Sequence, residues 1–111
     1  MDIYKNYTYR VTWSDEDQEH AALCAEFPSL SWLSADPSAA LVGIMQLVQE
    51  VVAEMEGVGE EIPEPLSTKK YSGKIAVRVT PMVHKSLAIE AAEKGISMNR
   101  LISAKLAVGT A

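Results

Sequence analysis

Asp15, Glu16, Asp17 and Glu19 stand within five positions of one another in this 111-residue chain. Carboxylate oxygens in such a group are the donors that a hard divalent cation prefers. The same residues, in the run SDEDQ, also read as a solvated turn between two alternating segments. A two-metal nuclease would need acids converging from several elements. The segment before the turn offers aromatics and threonines where the first such acid would sit. Cys24 is the only cysteine, so no intrachain disulfide or CxxC metal clip is possible; within its alternating segment it reads as a small packing residue with no evident base. His20 and His84 are far apart, lack HExxH-like spacing, and read as surface histidines. No catalytic or metal site and no cofactor emerge from these residues.

Chemistry of the opposite sign lies further along, in the stretch GKIAVRVTP at residues 73–81. On an extended segment Ile75, Val77 and Val79 point to one side, and Lys74, Ala76 and Arg78 to the other. The whole chain carries −5, but unevenly. Residues 1–66 hold thirteen acids against Lys5 and Arg10, a net of −11, whereas residues 67–111 hold eight bases against Glu90 and Glu93, a net of +6. This division points to an acidic module joined to a basic one that meets polyanions.

In the acidic half, Tyr7, Tyr9, Val11 and Trp13 alternate with Thr8, Arg10 and Thr12 as a half-buried strand does. Ala21, Leu23, Ala25 and Phe27 alternate with Ala22, Cys24 and Glu26, predicting the second strand of a hairpin. Pro28-Ser29 breaks it, and residues 30–33 fit a short third strand. Asp36-Pro37 predicts a helix start, a capping carboxylate followed by proline at the first helical position. Leu41, Ile44, Met45, Val48, Val51, Val52 and Met55 follow at helical spacing, with Gly57 as the expected end. Trp13 and Trp32 read as packing residues that become partner anchors if exposed. Residues 57–73, punctuated by glycine and proline, read as a linker with room for a short strand around Ile62; Lys69 and Lys70 there are either solvated or near phosphates.

Beyond the cationic segment, Thr80-Pro81 opens a second helix with Val83, Leu87, Ala88 and Ala91 as its apolar stripe, and Lys94-Gly95 closes it. Ile96 turns inward, Ser97 caps a third helix, and Leu101, Ile102 and Leu106 line its inner face. A unit this small cannot build a sufficient core alone, and a single strand leaves its backbone groups unpaired. Both problems vanish if two copies pair their strands antiparallel beneath four helices. Lys74, Ala76 and Arg78 of both copies then form a two-stranded ribbon that fits the DNA major groove. The N–H groups at Ser97, Met98 and Asn99 open a helix and can hold a phosphate.

The element order, the T-P helix start, the G-I-S-M-N turn and the strand alternation over residues 73–108 resemble the ribbon-helix-helix repressors. The resemblance implies base-reading positions at Lys74, Ala76 and Arg78, with Ala76 able only to touch a thymine methyl, and phosphate anchoring around Ser97, Met98 and Asn99. The tyrosine-rich strand, the acidic turn, the strand running into F-P-S-L, the A-D-P before a long helix and the following I-P-x-P resemble the HicB antitoxins. Ser31-Trp32 departs from the glycine-containing turn more usual there. This second resemblance implies a truncated RNase H-like front domain without catalytic function, binding a HicA-like toxin, a small basic mRNA-cleaving protein.

The expected fold class is therefore α+β, with residues 1–60 as a toxin-binding domain, 61–72 as a linker and 73–111 as a ribbon-helix-helix dimerisation module. The expected protein is no enzyme. It masks a toxin and represses its own operon as a homodimer or higher homo-oligomer on double-stranded operator DNA. The alternatives are a stand-alone regulator whose acidic domain senses a ligand or protein, and a small nuclease. The longest charge-free stretch, residues 37–49, is short for a bilayer span, and Met1-Asp2 opens no signal sequence; no membrane role and a cytoplasmic location are expected.

Overall fold

A computed structural model describes residues 2–110, which divide into two compact units at Ser72 and Gly73. The front unit opens with a 3-10 turn, Ile3–Asn6, followed by β1 (Tyr9–Ser14), β2 (Glu19–Cys24), β3 (Ser31–Ser34) and α1 (Pro37–Val58). The strands form an antiparallel sheet in chain order β1-β2-β3. Val11 pairs with Ala22 and Ala22 with Trp32, so these three share one face of the sheet.

That face is covered by α1. The core consists of Tyr7, Ala22, Cys24 and Phe27 from the sheet side, with Ala40, Ile44, Val48 and Val52 from the helix. The inward phase of β2 is thus Ala22 and Cys24, whereas the alternation had grouped Ala21, Leu23, Ala25 and Phe27. The register explains this, because Ala22 and Cys24 lie opposite Val11 and Tyr9. The small residues on β2 leave room for Ile44 and Val48, which are fully buried. Phe27 reaches the same core only because the chain turns after Cys24, where Phe27 N–H donates to the Cys24 carbonyl.

Asp36 caps α1 by accepting from Ala39 N–H at 3.1 Å, and Pro37 occupies its first turn. The helix passes through Gly57 and ends two residues later than the spacing suggested. Gly59, at φ 75°, takes the left-handed conformation, and its N–H and that of Glu60 bond back to Glu56 and Met55. Gly57 cannot be singled out by composition, since both glycines are compatible with a helix end. By length and a mean hydropathy of 1.3, α1 could cross a bilayer; here its stripe of Ala40, Gly43, Ile44, Val48 and Val52 packs on the sheet.

Residues 60–71, expected as a connector, run along the front unit without forming a strand. Ile62 packs against the core and Pro65 is buried. The Tyr7 hydroxyl donates to the Pro63 carbonyl at 2.8 Å, the Ser67 hydroxyl to the Asn6 carbonyl, and Leu66 N–H to Glu26 at 2.9 Å.

The tail unit holds α2 (Pro81–Lys94) and α3 (Met98–Ala107). Thr80 caps α2 through Val83 N–H, and Ser97 caps α3 through Arg100 N–H. Gly95, at φ 65°, makes the turn between them. Glu90 of α2 forms ion pairs with Lys94 at 3.3 Å and with Lys105 of α3 at 3.2 Å. Its carboxyl is held below the usual range, first by the Lys105 hydrogen bond.

Candidate functional site

The tail unit is open on one side. Among its described residues, only Ala91 and Leu101 are buried, at 4% and 3% exposure. Residues 75–80 belong to no strand among the described residues, and their apolar set stands in solvent: Ile75 is 76% exposed, Val77 69% and Val79 47%. These side chains nevertheless line the helices. Val77 and Val79 share an open cleft of about 370 Å3 with Leu87, Met98, Ile102 and Leu106. Ile75 and Val77 share a second, of about 410 Å3, with Ile102 and Leu106. One face of the segment is therefore turned toward α2 and α3, yet a single chain does not seal it.

Lys74, Ala76 and Arg78 are all exposed. Ala76 and Arg78 line neither cleft, whereas Lys74 and Asn99 are both walls of the second. Of the three positions expected to hold a phosphate, Ser97 has its hydroxyl committed to the Arg100 N–H at 3.0 Å. Met98 and Asn99 begin α3, where backbone N–H groups have no acceptor inside the helix.

Residues 56–106 match the HicB family. The match covers a little under half of the 111 residues, running from the last turns of α1 through the docked segment and almost to the end of α3. It supports a HicB-type antitoxin and, with it, a toxin partner. Searches of the curated proteins and of the solved structures gave no match.

The β-sheet of the front unit lies outside the matched residues, and its candidate positions stand on geometry alone. Asp15 and Asp17 serve the turn itself. Ser14 and Asp17 share a hydrogen bond at 2.9 Å, and the Gln18 amide donates to the Asp15 carbonyl at 2.6 Å. Among the described residues, no group of three His, Cys, Asp or Glu side chains is placed to hold a metal. His20 is half-buried beneath Trp13, their rings edge-on at 5.1 Å. His84 is exposed and lines the first tail cleft. Cys24 is buried, with its sulfur 3.6 Å from a Glu26 oxygen. Burial raises its thiol pKa, which keeps it a poor nucleophile.

Trp13 and Trp32 are 50% and 43% exposed, which meets the condition set for an anchor. Trp32 also packs: a Cβ at Gly43 would overlap its indole. Glu26 escaped the sequence reading. It accepts from Thr8 N–H at 2.9 Å, from the Thr8 hydroxyl at 3.2 Å and from Leu66 N–H. Burial pushes its carboxyl up, but these donors outweigh burial and leave it below the usual range. Its partners lie 18 and 40 residues away, so no local spacing could have marked it.

Proposed function

We propose that this chain is an antitoxin whose acidic front unit silences a small basic RNA-cleaving toxin, and whose tail dimerises and binds operator DNA. The observation that carries the DNA half is the row Ile75, Val77 and Val79, exposed on a segment that belongs to no strand among the described residues while lining the same clefts as Ile102 and Leu106. A second copy pairing antiparallel would satisfy the backbone and close both clefts. The ribbon-helix-helix arrangement follows, with Lys74, Ala76 and Arg78 on its outer face. Arg78 then reads a guanine edge through two hydrogen bonds, Ala76 meets a thymine methyl, and the first-turn N–H groups of Met98 and Asn99 hold the backbone phosphate. The order of three strands and a helix in the front unit is compatible with a partial RNase H-like domain. Its −11 over residues 1–66 supports attraction to a basic partner.

Arg78→Ala tests the reading. Binding to the promoter of its own operon should weaken by about 1–3 kcal/mol, with relaxed preference at one base of each half-site. Affinity should also fall steeply as salt rises, because neutralised phosphates release counterions. Equal loss on operator and random DNA would contradict base reading by Arg78, and a flat salt response would remove the DNA role. Co-expression with the adjacent reading frame tests the other half: a toxic basic neighbour silenced by this chain supports the antitoxin. A harmless neighbour favours a stand-alone regulator.

A further inference from the structure

The last turns of α1 are wrongly charged for a helix end. Glu50, Glu54 and Glu56 occupy them, Glu60, Glu61 and Glu64 follow, and the last turn has no basic residue. A helix C-terminus carries roughly half a negative charge of its own, which repels carboxylates. Glu50 and Glu54 are also four residues apart, where like charges oppose each other. Among the described residues, the ion pairs involve only Asp2 and Glu90 as acids, so none of these six glutamates is paired. Folding alone gains nothing from this arrangement. Local conflict of this kind is characteristic of functional sites.

The same helix end borders an open groove of about 760 Å3, with Phe27, Leu30, Val51, Met55 and Val58 as apolar walls and Glu54 and Glu60 among its polar ones. Val58 is 71% exposed beside it. An apolar trough flanked by unpaired carboxylates complements an amphipathic helix with one apolar stripe flanked by lysine or arginine. We propose that this groove is where the toxin docks, through a cationic amphipathic helix whose apolar side enters the trough and whose bases meet Glu54 and Glu60. The proposal rests on the antitoxin reading and gives it a surface. Bases bound there would offset the like charge collected at the end of α1.

The test uses the full chain and a fluorescein-labelled helical peptide of leucine and lysine at amphipathic spacing. The double variant Glu54→Gln with Glu60→Gln should bind it at least about tenfold more weakly. The control Asp15→Asn with Asp17→Asn removes the same charge from the hairpin turn and should lose less than about twofold. The groove variant should also melt about 2–5 °C higher than the wild type, which separates relief of repulsion from misfolding. Equal weakening in both variants, no weakening in either, or no binding by the wild type would overturn the groove. Growth rescue on co-expression with a toxic neighbour keeps the two readings apart. If the wild type and the groove variant both rescue, the groove is wrong and the antitoxin stands. If the wild type fails to rescue, the antitoxin reading falls, and the peptide measurement alone decides the groove's preference for cationic helices.

Discussion

Glu26 shows how much one carboxylate can organise. It ties the start of β1 to the segment after α1 through Thr8 and Leu66, and so converts a stretch that composition reads as a linker into part of the front unit. Its lowered pKa gives a pH dependence with a definite sign. A carboxylate with a folded pKa below its unfolded value adds stability above the unfolded pKa, and that stability disappears as pH falls through the folded one. Glu26→Gln should therefore lower the melting point at neutral pH and flatten the loss of stability that the wild type shows below about pH 4.5. Because the group is partly exposed, the difference should be about 1 kcal/mol or less. Melting curves of both proteins across the acid range measure it; parallel pH profiles would show that Glu26 contributes no charge-dependent stability. Residues such as Asp36, Thr80 and Ser97 were legible in the sequence because a cap bonds within three positions of itself. Glu26 was not, because its partners are remote.

Among the elements, α1 was the most legible, and only its end was misplaced, at Gly57 instead of Gly59. Its start and its apolar stripe follow from spacing, yet the reason for Gly43 lies in β3. The Trp32 indole occupies the space in which a side chain at position 43 would stand. Gly43→Ala gains helix propensity of roughly 1 kcal/mol but must displace that ring. It should be net destabilising by about 1–3 kcal/mol in thermal melts. A more stable Gly43→Ala protein would mean that the indole moves aside at no cost. For β2 the difficulty was different, because alanine, leucine and cysteine are apolar in both phases of the strand. Only pairing with Tyr9 and Val11 decides that Ala22 and Cys24 face the helix. The acidic end of α1 was visible as a charge pattern, but a groove requires Phe27 and Leu30 to arrive from another part of the chain.

At the scale of the whole molecule, the two units differ in how completely one chain can build them. Among the described residues, the front unit closes a core of eight buried side chains, and the tail buries Ala91 and Leu101 alone. Sequence conveyed this imbalance well, since a strand without a partner and a short pair of helices already demand a second copy. It could not convey which apolar side chains remain uncovered. If two tails complete each other, the melting temperature of the tail should rise with protein concentration, and Val77→Asp should abolish that dependence and yield monomers in sedimentation. A wild type that stays monomeric at micromolar concentration would remove the dimer and the ribbon with it. Both tryptophans belong to the front unit, each with roughly half its surface in water, while the tail has none. Intrinsic emission therefore reports on the front unit alone: a protein that covers either indole shifts its colour, whereas a ligand held only by the tail leaves it unchanged.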